Sequence, residues 1–417
     1  MLLNYGSSQL ELTLPEDISR KIISGCSCSP LEEPHDEILK VLRQPLGTLP
    51  LRQIVKTGET VSILVNDPTR LARSELFLPL LIEELEQAGI KKDDIIIVFT
   101  NGSHRHLSRE EMIELVGDEV AFKVNMYNHD CNDPAKLVFL GLTSRGTPVH
   151  VNKMVMQADR RILTGSVVHH FFAGFGGGRK ALIPGVAGWD TIQKNHSLLF
   201  DDQAKSGILE GNPVHEDLLE AALMVSADFL LNTVLNEQKE ILGVFAGDMV
   251  KAHLQACAMV DDINGITLEK AADVVIASCG GYPKDINVYQ AHKTLDNTIQ
   301  AMKPGGQLIL LAQCPEGIGS ENYEKWASKY SALPELEKAL REQFELGGHK
   351  AYTVAKLLQR GDVYLVSDLP AYKSRVLGFI PVSSLDEALQ EIYRDQGDLL
   401  TYIFPQGSLC VPRLADD

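Results

Sequence analysis

The sequence predicts an α/β protein: two α/β domains with largely parallel sheets flanked by helices, and an active-site cleft between them. Two observations predict it. Short apolar, β-branched runs alternate with longer helical patterns, which is how βαβ units read in sequence. The alternation then starts afresh near residue 268. A first domain is therefore expected over 1–267 and a second over 268–403, with a tail of about 404–417 returning to the first. A length of 417 residues suits two or three domains.

Each element follows in order. "TVSILVND" (60–67) is a buried strand pattern, followed by the helical "LFLPLLIEELEQAGI". "DIIIVFTNG" (94–102) is a second strand, and in "SREEMIELVG" Ser108 and Glu111 have the spacing of a capping box. "RILTGSVV" (161–168) is a third strand, and "NPVHEDLLEAALMV" is a helix with Asn212 as N-cap and Pro213 at its first position. In the second domain "ADVVIASCGG" is a strand, "NVYQAHKTLDNTIQAMK" a helix, and "PGGQLILLAQC" a stop and a strand. Later helices are expected in "ELEKALREQFEL" and "SLDEALQEIYRDQ".

Composition narrows the class. The chain is 44% hydrophobic and 23% charged, enough to build full cores in water. A net charge of −17 leaves no basic field for nucleic acid, so no such partner is expected and any anionic ligand must be held by local Arg and Lys. Seven cysteines, at 26, 28, 131, 257, 279, 314 and 410, form no CxxC or zinc pattern. They read as reduced thiols, and the cytoplasm is the expected location. The opening "MLLNYGSSQLELTLPEDISRK" lacks a basic, then apolar, signal-peptide pattern. No apolar stretch reaches the roughly 18 residues of a membrane span.

In parallel sheets ligands bind beyond the carboxyl ends of the strands. Four predicted strand ends run into "NDPTR", "TNGSHRH", "HHFFAGFGGGRK" and "CGGYPKD". The third is the richest. Gly174, Gly176, Gly177 and Gly178 precede Arg179 and Lys180. The loop fails the dinucleotide fingerprint, because Arg179 stands where its last glycine belongs. It also fails the Walker pattern, because Ala181 follows Lys180. Its amides can still cradle a phosphate, or the loop is a packing turn with a solvated Arg and Lys. A desolvated Lys180 can instead bond covalently to a carbonyl or acyl group. Among twelve histidines, His104, His170 and His196 stand out by position. Two can form an acid–base pair and a third can ligate a soft or borderline metal, or each is an ordinary structural histidine. Arg70 and Lys293 suit a small carboxylate, or are surface salt bridges. His106, His129, His150, His169 and His215 are read as structural.

The sequence resembles the nickel-pincer lactate racemase family along nearly the whole chain. The residues that carry the resemblance are "NDPTR", "TNGSHR", "HFFAGFGGGRKALIPGVAG", "GNPVHED", "FAGD" and "YQAHK". It implies a nickel-dependent racemase or epimerase of a 2-hydroxy acid, lactate first. Lys180 would carry a nickel-pincer nucleotide, a pyridinium-3,5-bisthiocarboxylic acid mononucleotide holding Ni(II), through a thioamide. His196 would complete the metal site, and His104 and His170 would be the acid–base pair. Arg70 and Lys293 would orient the substrate carboxylate, with Tyr289 and Gln290 beside it. Asp67 and the four glycines would lie against the cofactor. Enzymes that build the cofactor would be partners in maturation. A Cα–H beside a carboxylate is feebly acidic, and general-base help contributes about 10²–10⁴-fold. Hydride transfer through a 2-keto acid is therefore the implied route.

The chain departs from the family at "TRLAR", where Leu71 and Ala72 replace a proline-flanked motif. It also has Gly176 for a common serine, His169 for a proline, and Tyr352 for a tryptophan. These departures bear on the substrate. Two other readings remain: a 2-hydroxy-acid oxidoreductase using a diffusible nicotinamide, and a nickel or nucleotide carrier.

Overall fold

The computed structural model describes residues 1–15, 18–25, 28–394 and 399–415. The chain divides into two compact units, Ser27–Asp262 and Met1–Cys26 with Ile263–Asp417. Both are α/β.

In the first unit six strands form one sheet, in the order Ile241–Gly247, Phe229–Leu235, Arg160–Ser166, Val61–Val65, Ile95–Phe99, Asn125–Asn128. All neighbours run parallel except Ile241–Gly247, which is antiparallel to Phe229–Leu235. The central strand Val61–Val65 is buried at every position, as an apolar run covered on both faces must be. Ile63 packs in one core with Phe77, Leu81 and Leu85 of the helix Ser74–Gln87. The chain steps outward from Val61–Val65 to Ile95–Phe99 and Asn125–Asn128, then reverses to Arg160–Ser166 on the other side. That reversal is the topological switch point, where the loops after adjacent strands diverge and leave a crevice. The loops after Val65 and Ser166 flank it.

The capping signals fold as the sequence predicts. Ser108 and Glu111 form a reciprocal capping box on Arg109–Val116. Asn212 caps Pro213–Val225 by accepting from the Val214 and His215 amides.

The second unit holds another six-stranded parallel sheet, ordered Ile380–Val382, Gly361–Val366, Met302–Leu311, Ala272–Ser278, Thr401–Phe404, Arg20–Ile22. The division differs from the expected 1–267 and 268–403 at both ends. Residues 20–22 pair with Thr401–Phe404, and the tail strand Val411–Leu414 pairs with Gly265–Leu268 inside this unit instead of returning to the first. The first pairing joins segments 381 positions apart and the second 146, and a short edge strand carries no periodicity to announce either. Pro304, Gly305 and Gly306, expected as a stop, lie within the strand Met302–Leu311. The helices Leu333–Glu342 and Leu385–Tyr393 form where expected, though residues 395–396 of the second pattern lie outside the described residues.

Candidate active site

The site in the first unit is built from three loops at the carboxyl edge of its sheet. After Val65, Pro68 opens a single 3-10 turn, Pro68–Arg70. Asp67 caps that turn, accepting from the Thr69 amide at 3.0 Å and the Thr69 hydroxyl at 2.6 Å. The Asn66 side chain donates to the Arg70 carbonyl at 3.1 Å and accepts from the Thr100 hydroxyl at 3.3 Å. That ties the first loop to the second. From the second loop His104 reaches back, and its Nδ1 bonds the buried Asp67 carboxylate. Burial alone would raise the Asp67 carboxyl. The hydrogen bonds from His104 and Thr69, aided by the charges of His104 and Arg70, outweigh it and hold the group below its ordinary value.

The third loop begins as a two-residue hairpin, His169–His170 against Gly174–Phe175. His169 points to Asp261, its Nε2 lying 2.7 Å from the carboxylate. The Ala173 amide donates to Nδ1 of His170 at 3.3 Å, and the Phe171 and Phe172 rings flank that imidazole. Gly177 and Gly178 adopt φ of +70° and +55°. A Cβ on Gly178 would sit 2.5 Å from the His253 ring, and one on Gly174 would sit 2.2 Å from the Ile208 carbonyl. These glycines answer to protein packed behind the loop. Gly176 differs, because a Cβ there meets its nearest neighbour at 3.5 Å. Gly178→Ala should therefore lower stability by at least about 1–2 kcal/mol from the left-handed backbone alone. Gly176→Ala should shift it by less than about 0.5 kcal/mol. Urea midpoints of the two variants check this, and equal midpoints would refute it.

Arg179 is not solvated. Its guanidinium is almost wholly buried and donates to the Ala173 and Phe175 carbonyls at 2.9 and 3.2 Å, with the His253 ring against it. Burial pushes it down to about 10, so it keeps its charge at neutral pH. The Gly178 amide donates to Asn232 Oδ1 at 2.8 Å. Sequence reasoning offered Arg179 only as a loop cation, solvated in the packing-turn reading, and missed Asn232 and His253. The one available signal was Asn232, a lone amide inside the apolar strand "FLLNTVL".

Lys180 leaves the turn Gly178–Ala181, with its Nζ 5.9 Å from the centre of the Phe172 ring. Among the described residues that ammonium has no hydrogen bond and no ion pair. Burial, then the charges of Arg70 and Arg179, hold its amine well below the ordinary lysine value. His196 ends the helix Trp189–His196, and its ring lies 5.0 Å from Phe172. Burial, then the charges of Lys180 and Arg70, push its imidazole down to about 3. Its Nδ1 is buried with no partner. The helix is fastened one residue earlier, where Asn195 donates to the buried Asp217 carboxylate at 2.8 Å. Phe172 thus touches His170, Lys180 and His196 alike, and sequence reasoning treated it only as part of a motif. No cluster of three or more His, Cys, Asp or Glu side chains able to hold a metal exists among the described residues. One neutral imidazole would need donors from elsewhere.

Tyr289, Gln290 and Lys293 belong to the second unit, on the helix Val288–Thr298 capped by Asn287. Lys293 donates to Gln290 Oε1 at 2.7 Å. The buried Lys350 donates to His292 Nε2 at 2.7 Å and lies 5.1 Å over the Tyr289 ring. Tyr352 is buried in the same unit. The histidines read as structural include His129, buried between the Ala187 carbonyl and the Asn152 amide. His215 is also buried, with its Nδ1 unpartnered.

Comparison with known proteins matches two family domains along the chain. The lactate racemase N-terminal domain profile matches residues 5–207, and the lactate racemase C-terminal domain profile matches residues 267–408. A lactate racemase from Thermoanaerobacterium thermosaccharolyticum is 32% identical over 396 residues, covering 93% of this chain and 92% of that protein. One from Lactiplantibacillus plantarum is 31% identical over 376 residues, covering 87% of each. The solved structure of the T. thermosaccharolyticum lactate racemase apoprotein matches with a TM-score of 0.88 at 30% identity, covering 99% of both chains. A Thermotoga maritima crystal structure, 19% identical, shares the fold at a TM-score of 0.68 over 91% of this chain and 98% of that one.

Proposed function

Because the chain belongs to the lactate racemase family, we propose that it is an isomerase that interconverts the enantiomers of a 2-hydroxy acid, lactate first, with a nickel-pincer nucleotide on Lys180. The observation that carries the reading is the pairing of two unsatisfied groups beside one aromatic ring. Lys180 offers an amine with no partner and little tendency to hold a proton. His196 offers a neutral imidazole with a buried, unpartnered nitrogen. The first is the form in which a lysine forms a bond to an acyl or thioacyl carbon. The second is a borderline donor that suits Ni(II) alongside soft sulfur ligands. These residues fit the group.

When bound, that group supplies a temporary acceptor for the Cα hydrogen together with its electron pair. The chain's own residues do the rest. Arg70, on the turn capped by Asp67, offers a guanidinium fork to the substrate carboxylate. His104 and His170 handle the hydroxyl proton: the one that is a neutral imidazole takes it as the carbonyl forms, and the other, having first gained a proton to become an imidazolium, returns one when the alcohol is rebuilt. The family resemblance adds Tyr289, Gln290 and Lys293 as substrate contacts.

We place the reaction in the cytoplasm. Cys28, Cys131, Cys257, Cys279, Cys314 and Cys410 are free thiols, and Cys26 lies outside the described residues. No described helix is long and apolar enough to cross a membrane. Maturation would need the enzymes that assemble the cofactor.

The test is direct. Protein produced together with the cofactor-building enzymes is incubated with enantiopure L-lactate and no external electron acceptor. Chiral chromatography should show the mixture moving to equal amounts of both enantiomers. Pyruvate accumulating only when a nicotinamide is added would replace the reading with that of an oxidoreductase. No turnover of any chiral 2-hydroxy acid, with metal bound, would favour a carrier.

A further inference from the structure

The two histidines of the site rest in opposite tautomers, and each assignment follows from what its partner is able to do. Asp67 is ionised at neutral pH, so its carboxylate only accepts; the Nδ1 of His104 that bonds it must carry the hydrogen. In the neutral form of the ring, Nε2 of His104 is then a bare lone pair, and among the described residues it has no hydrogen-bond partner. At Nδ1 of His170 the Ala173 amide is a partner, and it only donates. Nδ1 of His170 must therefore be the lone pair, and its neutral ring carries hydrogen on Nε2.

We propose that Asp67 is a positioning residue that locks His104 with its hydrogen on Nδ1, leaving Nε2 as the site's resting proton acceptor. This rests on the racemase reading. The geometry makes Asp67 suited to the task because its two oxygens are divided. Oδ1 is taken by the Thr69 amide and hydroxyl, which build the turn, and Oδ2 faces His104. When the substrate hydroxyl gives its proton to Nε2, His104 becomes an imidazolium and its charge is held against Oδ2. The O–H bond breaks, the Nε2–H bond forms, and no other co-reactant is required for that proton step. Asp67 itself stays ionised throughout, as an orienting carboxylate does.

Asp67→Asn separates the two jobs. An asparagine can keep its carbonyl toward Thr69 and turn its NH₂ toward His104. It would then donate to Nδ1 and force the hydrogen onto Nε2, the wrong nitrogen for a base. In protein labelled with ¹⁵N-histidine, long-range proton–nitrogen correlation should show His104 with hydrogen on Nδ1 in the wild type and on Nε2 in Asp67→Asn. His104→Gln identifies the resonance by its loss. In cofactor-loaded protein, Asp67→Asn should lower kcat by about 10²–10⁴-fold, with nickel content and KM nearly unchanged. The double variant Asp67→Asn/His104→Ala should be no slower than His104→Ala alone, because both changes remove one function. A wild-type His104 protonated on Nε2, or losses that multiply in the double variant, would overturn the proposal. Wild-type protein that fails to interconvert any chiral 2-hydroxy acid would instead sink the racemase reading, and the nitrogen spectra would still decide the tautomer.

Discussion

Lys180→Ala should leave the protein folded and without its covalent adduct, and racemisation should fall to background. The Lys180 amine is the group on the described surface of this site that has a nucleophile's character and no competing partner. Burial disfavours its protonation first, and the positive charges of Arg70 and Arg179 disfavour it further. That disfavours the ammonium, which cannot attack, and favours the amine, which can. Lys180→Arg sharpens the test. It keeps length and charge, but a guanidinium stays protonated and forms no stable acyl bond, so it should fail as alanine does. Intact mass spectrometry reads the adduct, metal analysis reads the nickel, and chiral chromatography reads the turnover. An adduct of unchanged mass in either variant would move the tether to another side chain.

His170→Ala should cost about 10²–10⁴-fold in kcat, the range for one proton-transfer partner, with nickel content intact. Its ring is held by the Ala173 amide and flanked by Phe171 and Phe172, so alanine removes the imidazole and leaves the aromatic wall. The two enantiomers are equal in free energy. kcat/KM must therefore fall by the same factor starting from either one, however unequally kcat and KM change. Steady-state kinetics in both directions checks this. Activity within a few-fold of wild type would remove His170 from the proton traffic, and the same result for His104→Ala would remove both.

Much of the fold was legible because its signals are local. The alternation of apolar runs and helical patterns reports burial on both faces of a parallel sheet, and Val61–Val65 and Ala272–Ser278 lie where the runs predict. Capping chemistry is equally local, which is why Ser108, Asn212 and Pro213 were readable. The unit boundaries were not. They depend on the pairing of residues 20–22 with 401–403 and of 265–268 with 411–414, contacts between chain segments whose sequences carry no mark of each other.

The site divides the same way. By itself the sequence determined which residue types stand at the strand ends: Asp67, Arg70, His104, His170 and Lys180 follow from motifs and from the rule that parallel sheets present their carboxyl ends to ligands, and His196 from its motif alone. Only the tertiary structure decided what state each is in. Asp67 bonds His104, Arg179 is buried behind the loop, the Lys180 amine is held well below its ordinary value, and His104 and His170 meet opposite kinds of partner at Nδ1, a carboxylate and an amide. The reason is physical. Identity is written along the chain, whereas protonation and tautomer are set by burial and by partners that fold in from as many as 37 positions away for His104 and 74 for Arg179.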